Sequence, residues 1–394
     1  MTKHRFTRRK YLKNGSVAIL GLGVAGCTSQ FDSSDNVETQ TKSPKPTQTP
    51  IQTSVSTDTD NSVEATPTET STERPIDLTH FNGISGQTYP PDIDGSHHRQ
   101  FEWEAVGSSW SYQVNISKSR GEYYTKRFRR SDYDIYVTDP YDDGYIKGIA
   151  DEFERVGNEY DLTQREVVDL AVAFVHAMNY TKDNVTSPYD QYKYYPLETL
   201  IERGGDCEDS TILLAAILRQ MGYGCVLLGL FDAEPAHMAL GVKGDESVRG
   251  TYYTYQGDRY YFVETTGDGW KIGEMPDFDG STDAEIIEID PHPVLVYDFE
   301  TSVRLGEGVN LNANVWNYGE KSGSQTSFIA EFEDRSGEVV AADEIRIGPI
   351  ANEEQKTVSL ELFPPDNREL RLNAAVVIQN SLHDIARSGW REPV

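Results

Sequence analysis

Cys207 stands in the run Gly204-Gly205-Asp206-Cys207-Glu208-Asp209, just before the apolar stretch Ile212-Leu213-Leu214-Ala215-Ala216-Ile217-Leu218. Apolar residues nearly all round a helix predict one buried at the centre of a domain, with Cys207 in its first turn. A helix N-terminus carries unpaired N–H groups and partial positive charge. A cysteine there is favoured as the thiolate, which is the nucleophile, and its own N–H can donate to an oxyanion. The two glycines predict a tight turn and close approach of a substrate. The same run also suits a core cysteine at a helix start, with Asp206, Glu208 and Asp209 as dipole partners of the first turn. Neighbours on a helix point apart, so these three carboxylates predict no metal site. His97-His98 reads as loop composition, and no cofactor is expected.

Several elements must hold that cysteine. Phe101, Trp103, Trp110, Tyr112 and Val114 predict a small sheet or hairpin. Asp139-Pro140-Tyr141-Asp142-Asp143 signals a helix start, and the helix continues through Ile146, Ile149 and Phe153. Thr163-Gln164-Arg165-Glu166 has the form of a capping box. Val168, Val172 and Val175 then repeat on one face, and Asn179 continues that face. A tyrosine-rich loop over 189–195 leads to a short helix over 196–200, and Gly222 closes the Cys207 helix. Strands are predicted near 225–230, 237–242 and 260–264. One buried helix followed by several strands reads as α+β.

With these parts in order, the sequence resembles the transglutaminase-like superfamily, which shares a papain-like catalytic core. The resemblance is carried by Gly204-Gly205-Asp206-Cys207-Glu208-Asp209-Ser210-Thr211, by Pro235-Ala236-His237-Met238-Ala239-Leu240-Gly241-Val242, by Tyr260-Tyr261-Phe262-Val263-Glu264-Thr265-Thr266, and by Gly269-Trp270-Lys271-Ile272-Gly273-Glu274. It covers roughly residues 141–276. It implies a triad of Cys207 as nucleophile, His237 as its base and Glu264 as the acid that orients the imidazole. The family's usual acid is Asp, and many members carry Trp where Met238 stands here. Asn179 is a candidate second oxyanion donor, with His176 as an alternative. The resemblance implies acyl transfer through a thioester. Water as acceptor would make the protein a peptidase or amidase acting on a protein or peptide, and an amine would make it a cross-linking transglutaminase. A non-catalytic binding module on the same fold is the third reading.

The N-terminus reads as an export signal over 1–27. Arg8-Arg9 sit in a twin-arginine-like stretch, and Val17 to Ala25 is too short for a membrane-spanning helix, which needs ~20 apolar residues. Val24-Ala25-Gly26-Cys27 resembles a lipobox, which places a lipid on Cys27 and the chain on the extracellular face of the cytoplasmic membrane. Residues 28–80 are read as a disordered linker rich in Thr, Ser and Pro. Acidic residues number 64 against 36 basic, a net charge of −28, which excludes nucleic acid as a natural partner and suits a salt-rich setting. Cys207 and Cys225 are expected to stay unpaired. Sequons occur at Asn115, Asn179 and Asn184. The catalytic domain is expected over 81–290. From 291 to 394, Val309, Leu311, Ala313 and Val315 alternate with polar residues, and Val358-Leu360-Leu362 and Leu370-Leu372-Ala374-Val376 repeat the pattern. Short alternating strands over that length predict an immunoglobulin-like β-sandwich.

Overall fold

The computed structural model describes residues 77–181 and 192–393, all within one packed unit. The export-type segment with Cys27, the linker as far as residue 76 and the sequon at Asn184 lie outside the described residues.

The helix Cys207–Gln220 is the centre of the N-terminal half. Ile212, Leu213, Leu214, Ala215, Ile217 and Leu218 are completely buried, as an all-round apolar helix requires. Asp206 caps it. One carboxylate oxygen accepts the N–H groups of Glu208 (3.2 Å) and Asp209 (3.4 Å), and the Asp209 carboxylate takes the Asp206 N–H in return (3.2 Å). One flank meets a five-stranded antiparallel sheet in the order Glu285–Glu288, Cys225–Leu230, His237–Gly244, Asp258–Val263, Tyr252–Tyr255. Elsewhere it meets the helices Asp143–Glu159 and Gln164–His176. The Thr163–Glu166 capping box is present as the sequence predicts. Helices on one side of an antiparallel sheet make this half α+β.

The aromatic run forms the hairpin Ser96–Ala105 with Ser108–Ser117. Phe101 and Trp103 stand edge-on to Phe174 at 5.3 and 5.1 Å, which fixes the hairpin to the Thr163-capped helix. His97 and His98 lie within the first strand and not in a loop, and His98 Nδ1 meets Asn115 Oδ1 at 2.5 Å.

The C-terminal residues form two four-stranded antiparallel sheets around one core. One sheet runs in the order Ser85–Gln87, Leu295–Val303, Val309–Asn317, Gln355–Leu362. The other runs Val339–Ile350, Gly323–Asp334, Leu370–Ile378, Ser381–Arg387. The alternating residues point inward as predicted, with Leu311, Val315, Leu372 and Val376 fully buried.

One expected boundary shifts. Residues 77–80, assigned to the linker, and 81–87, assigned to the catalytic domain, both belong to this sandwich. Leu78, Phe81 and Ile84 enter its core, and Ser85–Gln87 pairs with the strand Leu295–Val303. Three apolar side chains supply the burial there.

Buried charges join the two halves. Arg127, just after the helix Lys118–Lys126, donates to Asp384 at 2.8 Å and faces Asp139 at 3.7 Å. Arg130 donates to His383 Nδ1 at 3.0 Å. Among the described residues, no helix is long and apolar enough to cross a membrane.

Candidate active site

Three elements carry Cys207, His237 and Glu264, of which His237 and Glu264 are hydrogen-bonded to each other while the Cys207 thiol donates to Glu208. Cys207 is the first residue of its helix, so its N–H lies outside the helical hydrogen-bond ladder. His237 opens the strand His237–Gly244, and Glu264 follows the strand Asp258–Val263 that pairs with it. His237 Nε2 lies 3.1 and 3.0 Å from the two Glu264 carboxylate oxygens. Glu264 Oε1 also accepts from the N–H of Thr265 (3.1 Å), the N–H of Thr266 (2.9 Å) and the Thr266 hydroxyl (2.6 Å). Burial alone would push this carboxyl up, since the residue is 2% exposed. The bonds from His237 and Thr266, with the attraction of the imidazole, outweigh that and hold Glu264 below the usual carboxylate range. It is therefore an anion at neutral pH, and it receives the Nε2 proton of His237. Nδ1 is left as the ring nitrogen that can act as a base. Phe278 lies against the imidazole, ring centres 5.2 Å apart.

Cys207 reaches this pair through the backbone of the next residue, because the Met238 N–H is directed at its sulfur. Only this main-chain group is needed at that point, and the Met238 side chain turns into the core, 2% exposed. A knot of hydroxyls ties the three elements. Thr211, one turn after Cys207, donates to the Met238 carbonyl (3.3 Å) and shares a hydrogen bond with Thr265 (2.8 Å). The one proton of the Thr265 hydroxyl can go to Thr211 or instead to the Cys207 carbonyl at 3.5 Å. Both threonines stand inside the sequence motifs, but their role depends on contacts up to 58 residues apart. Thr211→Val keeps the shape and removes both bonds. We expect it to destabilise the protein by about 1–3 kcal/mol and to lower activity further than that loss explains. Thermal midpoint and turnover measured together check this.

Several expectations are corrected. The glycines do not make room for a substrate. A side-chain carbon on Gly204 would lie 2.4 Å from the Asn179 carbonyl oxygen, and one on Gly205 would lie 2.5 Å from Asp209 Cβ. They are needed because the chain packs against itself. Asn179 does not continue the helix face, since the helix ends at His176 and Asn179 pairs as extended chain with Gly204. It is exposed, and among the described residues its side chain makes no hydrogen bond to Cys207 or His237. His176 is committed elsewhere, its Nε2 donating to the Glu264 carbonyl at 2.8 Å. Asp206, Cys207 and Glu208 do not point apart. Their potential ligand atoms lie within 4.8 Å of one another, because Asp206 is extended and precedes the helix. Capping and a Cys207–Glu208 hydrogen bond account for that proximity. The thiol is not favoured as thiolate either. Burial raises its pKa, and the carboxylates of Glu208 and Asp206 raise it further. Cys207 and Cys225 are both free, as expected.

A cleft of about 580 Å³ has Glu102, Glu104, His176, Asn179 and Asp268 in its walls and meets the site through His176, which bonds the Glu264 carbonyl, with none of Cys207, His237 and Glu264 lining it.

No family model matches the sequence, and no curated protein matches it. Among solved structures, a β-glucuronidase from glycoside hydrolase family 2 is 10% identical, over 25% of this chain and 11% of its own length, with a TM-score of 0.20. A red sea bream transglutaminase is 8% identical, over 77% of this chain and 75% of its own length, with a TM-score of 0.22. Likenesses of this size assign neither fold nor chemistry.

Proposed function

We propose that the protein is a cysteine acyl hydrolase of the transglutaminase-like kind, in which Cys207 attacks an amide and His237 and Glu264 complete the triad. The bond between His237 Nε2 and the Glu264 carboxylate, beside a cysteine at a helix start, is the observation that carries this reading. The thiol proton passes to His237 Nδ1, the sulfur attacks the carbonyl carbon, and the oxyanion meets the Cys207 N–H. The imidazolium then protonates the leaving amine. Water, deprotonated by the same imidazole, releases the acid from the thioester. We favour water over an amine as acceptor, and a peptide as substrate. The carboxylates of Glu102, Glu104 and Asp268 in the neighbouring cleft disfavour acidic chains. We read the C-terminal sandwich as immunoglobulin-like, and Cys27 as the lipid attachment that holds the enzyme on the outer face of the membrane.

Glu264 offers the test. In Glu264→Gln, the N–H groups of Thr265 and Thr266 and the Thr266 hydroxyl require the amide oxygen at the Oε1 position. The NH₂ group therefore faces His237 Nε2 and drives the imidazole proton to Nδ1, where a base is needed. Turnover is expected to fall roughly a thousand-fold with little change in thermal midpoint, whereas Glu264→Asp keeps part of the activity at a shorter reach. Unchanged activity on a peptide-amide library in Glu264→Gln would remove Glu264 from the mechanism.

A further inference from the structure

We propose that Glu208 is a latch on the nucleophile, its carboxylate holding Cys207 as the thiol until the S–H turns to His237. The proposal deepens the reading of Cys207 as nucleophile and rests on it. Its basis is the contact in which Cys207 Sγ donates to Glu208 Oε2 at 3.2 Å. A thiolate has no proton for that bond and would place two negative atoms in contact. The arrangement is therefore specific to the resting thiol.

The groups around the sulfur divide unequally. Asp206 and Glu208, from the helix cap and first turn, oppose a thiolate. Tyr133, just before the short helix Asp134–Val137, and Tyr180, beside Asn179, also stand near the sulfur, each held neutral by burial first and then by the neighbouring acidic groups, and Lys193 lies over the Tyr133 ring at 4.4 Å. From the sheet come His237 and the Met238 N–H, with Glu264 behind the imidazole. The helix N-terminus and the Met238 N–H favour the anion, but burial and the two carboxylates outweigh them. Activation then has a defined balance. The S–H bond breaks, an N–H bond forms on His237 Nδ1, and the imidazolium stands beside the new thiolate. Glu208 is only partly buried and can turn its carboxylate to solvent as this happens. It is a positioning residue, acting through the sulfur.

The test reads the thiol itself. The full chain is treated with iodoacetamide across a pH series, and modification of the peptide carrying Cys207 is followed by mass spectrometry. Glu208→Gln keeps the shape and removes the charge, while Asp206 and Asp209 retain the cap. It is expected to react about tenfold faster at neutral pH, with its pH midpoint lowered by about one unit. Glu208→Asp, charged but shorter, should lie between it and the wild type, and it serves as the second variant should Glu208→Gln fold poorly. Wild-type rates in both variants would overturn the latch. Slower modification and lost turnover in Glu208→Gln would also overturn it, by making Glu208 the activating base. His237→Ala in the same series separates the two readings. Wild-type alkylation and turnover in that variant would remove the Cys207–His237 pair, whatever Glu208 does.

Discussion

Cys207→Ala is expected to lower kcat/KM by roughly ten-thousand-fold or more, because the proposed acyl intermediate forms on its sulfur. The fold should survive. Cys207 is 9% exposed at the edge of the core, and the helix cap uses the Asp206 side chain and the N–H groups of Glu208 and Asp209, none of which the substitution touches. Circular dichroism and turnover, measured on the same preparation, distinguish a lost nucleophile from a lost fold. A variant that still hydrolyses peptide amides at the wild-type rate would place the chemistry elsewhere.

The second large effect concerns the junction of the two halves. Arg127, Asp139 and Asp384 are almost fully buried, and Tyr124 and Tyr123 donate to Asp139 at 2.9 and 3.4 Å. Among the described residues, Asp384→Ala leaves the Arg127 guanidinium with only the more distant Asp139 as an acidic partner. Breaking one side of a buried pair costs about 3–5 kcal/mol, so chemical denaturation should show a loss of that size. Replacing both Arg127 and Asp384 by apolar residues of similar volume should cost much less, because no charge is stranded. His383 in the same junction is held neutral by burial and by Arg127 and Arg130. Its folded pKa lies below the unfolded value. The stability this group contributes is therefore present above about pH 6.5 and lost as pH falls below it. Equal losses in the single and double variants would show that packing, and not stranded charge, sets the cost.

Much of the fold was legible because it follows from local periodicity. The Thr163 capping box, the apolar Cys207 helix and the alternating strand Val309–Asn317 each state their form within a dozen residues. What was missed depends on distant partners. Ser85–Gln87 is three residues long and pairs with a strand more than 200 residues away, so no local pattern marks it. Asn179 was misplaced because the valine repeat sets a face but not the residue where the helix ends. The order of Cys207, His237 and Glu264 could be read from the motifs, but their electrostatics could not. A helix start favours a thiolate, whereas burial and the direction of the Glu208 side chain set the opposite sign. Both are properties of the packed site.

The central claim, a thioester formed on Cys207 with His237 as base, is tested most directly by trapping the acyl-enzyme. The protein is mixed with p-nitrophenyl acetate, quenched in acid within the first turnover and digested for mass spectrometry. A rapid burst of nitrophenol matched by acetylation of Cys207 is expected, absent in Cys207→Ala and greatly slowed in His237→Ala. Acetylation of Cys207 at the same rate with and without His237, or a burst that survives Cys207→Ala, would contradict it.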